Sequence, residues 1–128
     1  MLNSFFIRKE GKMLRDYIFD LEVENKNYQL IFNLNVMQDI QEEYETLENW
    51  GDLTDGKNKE VNVKALIFGL TSMINEAIEI KNEEQGSNEP LLSKKQVGRL
   101  ITKVGIEKTA LKLNEAVVEA TKSDQKNA

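Results

Sequence analysis

The stretch Tyr17-Ile18-Phe19-Asp20-Leu21-Glu22-Val23-Glu24-Asn25-Lys26-Asn27-Tyr28-Gln29-Leu30-Ile31-Phe32 decides the fold. Its first half alternates: Tyr17, Phe19, Leu21 and Val23 fall on one face, and Asp20, Glu22 and Glu24 on the other. Period two with one apolar face is the pattern of a half-buried strand. Asn25-Lys26-Asn27 reads as a polar turn, because asparagine tolerates left-handed backbone angles. Tyr28 to Phe32 then reads as the returning strand. Two strands alone are marginal in water, so the hairpin has to pack on helices or find a third strand. Phe5-Phe6-Ile7 is the segment that can supply one.

Beyond the hairpin the period changes. Asn33 to Asn35 offers an N-cap. After it Val36, Met37, Ile40, Tyr44 and Leu47 recur at helical spacing, with Asp39, Glu42, Glu43 and Glu45 off that stripe. Glu48 to Glu60 reads as a loop containing Trp50-Gly51 and Asp55-Gly56. Val63, Leu66, Ile67, Leu70, Ile74, Ala77 and Ile78 predict a second helix ending near Lys81, and Asn82 to Pro90 a mobile loop. Leu92-Ser93-Lys94-Lys95-Gln96-Val97 is a helix start: Ser93 can cap, and Gln96 can return the bond. That third helix ends at Gly105, where a positive φ costs nothing. Ile106, Ala110, Leu113, Val117 and Ala120 predict a fourth helix. The expected fold is therefore α+β: a small antiparallel hairpin, or three strands, followed by about four helices. Residues 1–15 are an arm or extra strand, 16–121 a single domain and 122–128 a polar, frayed tail.

Composition narrows the chemistry. The chain has 128 residues with no histidine and no cysteine, and its net charge is −5. Absent cysteine, there is no disulfide, thiolate nucleophile or Cys-type zinc site. Absent histidine, the commonest general base and metal ligand is missing. No cofactor and no metal ion is expected, and an enzyme would have to work with carboxylates, lysines, tyrosines and hydroxyls. No apolar run reaches membrane-spanning length, and Phe5-Phe6-Ile7 gives way at once to Arg8-Lys9-Glu10, unlike a signal peptide. The cytoplasm is the expected location. The negative surface disfavours non-specific nucleic-acid binding. Charge is nevertheless segregated. Met37 to Glu89 is strongly acidic, whereas Lys94, Lys95, Arg99, Lys103, Lys108 and Lys112 make the following stretch basic. Two faces that attract each other within one domain explain this more simply than a surface that orients a partner.

Candidate sites are few. Asp52-Leu53-Thr54-Asp55-Gly56 has a superficial likeness to a calcium loop, but aligning Gly56 to the required glycine puts Gly51 and Leu53 at ligand positions and Asn62 where the bidentate glutamate belongs. Glu42, Glu43 and Glu45 are a solvated helix face and not a paired-acid site. The two basic helices around Gly105 can be read as a helix-turn-helix, which makes a small DNA-binding regulator the alternative function. Two aromatic residues are candidate partner-binding positions: Trp50 in the loop, and Phe68, which lies off the main stripe of its helix among Ala65, Gly69 and Ser72. The competing reading puts both against the core.

Tyr28-Gln-Leu-Ile-Phe-Asn-Leu-Asn-Val-Met-Gln-Asp-Ile-Gln-Glu-Glu-Tyr44 resembles the start of the tail assembly chaperones of long-tailed bacteriophages, prophages and gene transfer agents. Leu66-Ile67-Phe68-Gly69-Leu70 follows in the same order, then Leu92-Ser93-Lys94-Lys95-Gln96-Val97-Gly98-Arg99-Leu100-Ile101, similar to a leucine-serine-x-x-glutamine-valine-glycine step, and finally Asn114-Glu115-Ala116. The likeness covers about Asp16 to Thr121. It implies a non-catalytic protein that binds the tail tape measure protein, helps recruit tail tube protein, acts in the bacterial host cell and is absent from the finished virion. A minor structural tail component is a further alternative, and self-association stays open. Such chaperones are often made in two lengths by ribosomal frameshifting. Gln125-Lys126-Asn127 can be encoded by a slippery run, so a longer fusion product is expected.

Overall fold

The computed structural model describes residues 18–57 and 59–127. Among these, β1 (Ile18–Val23) and β2 (Lys26–Ile31) form an antiparallel pair, and five helices follow: α1 (Leu34–Tyr44), α2 (Leu47–Thr54), α3 (Val63–Gln85), α4 (Lys94–Val104) and α5 (Ile106–Asn127). This is the small α+β fold that the alternating stretch implies. The register sets Asp20 opposite Gln29 and Val23 opposite Lys26. Leu21, Val23 and Leu30 are buried while Asp20, Glu22 and Glu24 face solvent. The turn falls earlier than the asparagines suggest. It is made by Glu24 and Asn25, with Glu24 at φ 52. Asn27 is instead inside β2, where its amide donates to the Asp20 carboxylate at 3.0 Å. The third strand expected from Phe5-Phe6-Ile7 lies outside the described residues.

The helices differ from expectation in three places. The segment Glu48 to Glu60 is not one loop: Thr46 caps a helix, its hydroxyl accepting from Asn49 N–H at 2.9 Å, and α2 runs to Thr54. The break between α1 and α2 is a tight turn on Glu45. Its φ of 73 and ψ of −48, with Thr46 N–H donating to Tyr44 O at 2.8 Å, make a three-residue γ-turn. α3 continues past Lys81 to Gln85 and stops at Gly86, whose φ of 66 is the left-handed cap. The short remainder of the expected loop is stitched back, because Asn82 Oδ1 accepts from Ser87 Oγ and Glu89 N–H and Lys81 pairs with Glu89 at 2.7 Å. α5 runs through most of the stretch expected to be a tail.

α3 is the axis of the domain and touches β2, α1, α2, α4 and α5. Leu66, Leu70, Met73 and Ile74 are buried to 1% exposure or less. Each contributes about 1.5–3 kcal/mol of apolar transfer on folding. α4 begins with the expected capping box between Ser93 and Gln96 and buries Val97, Leu100 and Ile101. Only Gly105, at φ 105, separates it from α5, which returns Ala110, Leu113, Val117 and Ala120 to the core. Lys103 on α4 reaches Glu24 of the hairpin turn at 3.4 Å, a glutamate outside the acidic stretch Met37–Glu89. Both partners are exposed, so it adds little stability.

Candidate functional site

The two aromatic candidates have different fates. Trp50 is not in a surface loop. It lies on α2 with 0% exposure, and its indole N–H donates to Ala65 O at 2.9 Å. It presents no surface to a partner. The ring lies directly against Gly69, where a Cβ would sit 2.4 Å from its Cζ2 atom. Of the small residues around Phe68, Ala65 and Gly69 therefore serve Trp50. Glycine at 69 opens the slot in α3 that the indole fills.

Phe68, one residue earlier, points to the other side of α3 and is half-buried at the edge of the core. Its ring meets Tyr44 of α1 edge-on, with centroids 5.6 Å apart, and Lys94 of α4 reaches over it with Nζ 5.6 Å from the centroid. Together these elements wall a groove of about 380 Å³ whose charged lining is Asp39, Glu42, Glu43, Glu76 and Glu79 against the single cation Lys94. Helical periodicity explains the gathering, because the acids leave the core stripe of α1 and the outer turns of α3 on facing sides. The groove is braced from within. Glu76 accepts from the side-chain amides of Asn33 at 2.8 Å and Asn35 at 3.0 Å, which fixes a carboxylate at the start of α1 where the helix dipole favours it. Asn33 in turn caps α1 by accepting from Asn35 and Val36 N–H. Ser72 donates to Asp39 at 2.8 Å, a second tie between α3 and α1. At the far end, Asn75 of α3 both donates to Leu92 O and accepts from Leu92 N–H, which sets where α4 starts and so where Lys94 stands.

Tyr44, which meets the Phe68 ring edge-on, is unusual. Its hydroxyl is buried and has no hydrogen-bond partner among the described residues. Burial first, and the nearby Glu43 carboxylate second, hold its ionisation above the ordinary 10.0. The phenol is therefore neutral at physiological pH. Among the described residues no three acidic side chains come together as a metal-binding group, and no helix is long and apolar enough to cross a membrane. What the groove offers chemically is one aromatic surface inside a negative rim, suited to an apolar side chain flanked by cations. Sequence reasoning found Phe68 but missed Tyr44, Glu76 and Lys94 as its neighbours. The Asn33-Leu34-Asn35 step was the available signal, since two asparagines around a helix start call for an acceptor from elsewhere.

The fold and this groove define a small α+β domain with a helix-lined, acidic, aromatic-floored cleft. Comparison with protein-family models, with curated proteins and with solved structures found no match.

Proposed function

We propose that this protein is a non-catalytic tail assembly chaperone that binds the tape measure protein of a long-tailed phage or prophage and helps bring tail tube subunits to it. The observation that carries the reading is the Phe68 groove: an aromatic floor between α1, α3 and α4 with five carboxylates and one lysine around it. Three of the four sequence segments that resemble the chaperone family border it, while Asn114-Glu115-Ala116 lies on α5 beside a different groove. Asn33 and Asn35 hold the Phe68 groove through Glu76, Phe68 is its floor, and Ser93-Lys94 begins the helix that closes it. An amphipathic helix of the partner, with one apolar anchor and flanking basic residues, would lie in such a cleft. Shielding such helices in the bacterial cytoplasm before tube subunits polymerise requires reversible binding, which a rim of solvated charge supplies better than a large apolar face. The protein would then leave before the virion is complete.

The test is co-expression with the tape measure protein of the same gene cluster, followed by size-exclusion chromatography with light scattering. A soluble complex is expected where the tape measure protein alone aggregates. Glu42 and Glu79 are exposed, so the double reversal Glu42→Lys with Glu79→Lys leaves the fold intact and should weaken the complex roughly tenfold or more. A tape measure protein that stays insoluble with the parent chain overturns the chaperone reading. A complex indifferent to the double reversal overturns the groove assignment. Salt-sensitive retention on DNA, abolished by Lys94→Glu with Arg99→Glu, would instead support the regulator alternative.

A further inference from the structure

The charge segregation along the sequence is not settled inside the domain. Among the described residues the ion pairs are Lys64–Glu43, Lys81–Glu89 and Lys103–Glu24, and none joins a cation of the segment 90–113 to a carboxylate of Met37–Glu89. The acidic side gathers in the Phe68 groove, where five carboxylates face the one cation Lys94. Their partners are mostly neutral: Gln38 donates to Glu42, Ser72 to Asp39, and Asn33 and Asn35 to Glu76. Only Glu43 reaches a lysine, Lys64 at 3.9 Å. Lys94 stands over the Phe68 ring and forms no ion pair among the described residues. The groove thus keeps an excess of negative charge around a half-buried aromatic ring.

The complementary chemistry is displayed beside it. Leu91 stands 46% exposed at the entrance to α4, and the residue after it is fixed by both Asn75 bonds, so an aliphatic side chain is held out on a rigid mount. α4 then carries Lys94, Lys95, Arg99 and Lys103 and no acid. Lys95 and Arg99 lie one turn apart on its exposed side. Glu89, the nearest acid upstream, is already paired with Lys81, and Lys103 with Glu24. An apolar anchor flanked by cations is what the groove's lining suits, yet Leu91 is not part of the lining of its own groove. Asn75 belongs to both features, since it lines the groove and holds Leu92. Knob and socket therefore adjoin on one surface. Two complementary patches side by side satisfy each other reciprocally across a two-fold axis, the commonest closure of protein oligomers. The net charge of −5 opposes the approach of two copies, but at roughly 0.1 M salt that repulsion is screened beyond about 10 Å, and the facing patches are of opposite sign.

We infer that the chain pairs with a second copy of itself through a two-fold contact in which Leu91 of each copy sits on Phe68 of the other, with Lys95 and Arg99 against Glu42 and Glu79. The inference uses the geometry of the Phe68 groove and does not depend on the chaperone reading. Because the contact fills the groove proposed for a partner helix, self-pairing and partner binding exclude each other.

The test is sedimentation velocity on the full chain across a dilution series, with no tape measure protein present. The parent chain should pass from monomer to dimer as concentration rises, and the dimer should loosen as salt is added. Two variants reverse the two halves of the contact at exposed positions: Glu42→Lys with Glu79→Lys in the socket, and Lys95→Glu with Arg99→Glu on the knob. Each alone should dimerise at least tenfold more weakly than the parent. An equimolar mixture of the two should recover the dimer, because one contact then joins an unaltered knob to an unaltered socket and the other joins a reversed knob to a reversed socket. Far-ultraviolet circular dichroism checks that both variants are folded. A parent chain that stays monomeric up to about 1 mM overturns the inference. So do variants that dimerise like the parent, which would point to another face such as the exposed Leu111 and Val118 of α5. A mixture of folded variants that pairs no better than either alone overturns it too, and species that grow past the dimer overturn the two-fold closure.

Discussion

A methyl group added at residue 69 would meet the Trp50 ring at 2.4, 3.0 and 3.1 Å, with the indole fully buried and pinned by its bond to Ala65 O. Gly69→Ala therefore sets two effects against each other. Replacing glycine inside a helix with alanine gains about 1 kcal/mol of backbone propensity. Overpacking a core typically costs about 1–3 kcal/mol, and a ring that shifts to make room strains a buried N–H bond worth about 1 kcal/mol more. The clash wins, and the expected net is a loss of about 2 kcal/mol, since the offending atoms belong to a rigid ring and not to a flexible chain end. In urea, with a slope of about 2 kcal/mol/M for a chain this size, the midpoint should fall by about 1 M. The assay is equilibrium unfolding followed by far-ultraviolet circular dichroism, repeated in a Trp50→Phe background. Phenylalanine lacks the atoms nearest residue 69, so there Gly69→Ala should be close to neutral or stabilising, a positive coupling in the cycle. An unchanged or raised midpoint for Gly69→Ala in the parent chain would refute the slot-and-plug reading of α2 on α3.

Two further outcomes follow from the α1–α2 junction. Glu45→Gly should stabilise by about 1 kcal/mol in the same unfolding experiment, because a non-glycine residue holds the positive-φ position of the γ-turn. Tyr44→Phe should be neutral or stabilising by up to about 1 kcal/mol, since it removes a buried hydroxyl without a partner among the described residues. It should also change the alkaline limb. The fold raises the Tyr44 pKa, so Tyr44's contribution to stability is full below the unfolded value of 10.0 and is lost as pH climbs through the folded value. The Phe variant should lose stability less steeply above pH 10, which thermal melts across pH 8–11 would read.

The hairpin and the stripes of α3, α4 and α5 could be read directly, because their burial follows a single period along the chain. The Ser93–Gln96 box and the Gly105 stop were equally local. α2 was hidden for a physical reason. The spacing from Val36 to Leu47 runs unbroken across a γ-turn on glutamate, a residue that does not announce positive φ, and Gly51 then dilutes the helical signal. Trp50 could be recognised as important but could not be assigned to core or surface, since its neighbours in sequence are polar and its slot is made by Gly69 on a different helix. Phe68 was legible by position alone. Its groove was not, because Glu76 and Lys94 reach it only through the packing of α3 against α1 and α4.

Asn75 gives the molecule a property that its secondary structure does not. By offering its amide as both donor and acceptor to Leu92, at 3.0 and 2.9 Å, it acts as a one-residue splint between the middle of α3 and the start of α4. The two helices are therefore bolted together across the Gly86–Pro90 bend and do not rely on the bend's length to find their register. That bend is the natural place to open the covalent chain. An inserted affinity tag, a protease site or a whole guest domain there would lengthen the path between α3 and α4 at a closure cost that grows only logarithmically, while the groove that Asn75 itself lines keeps its shape.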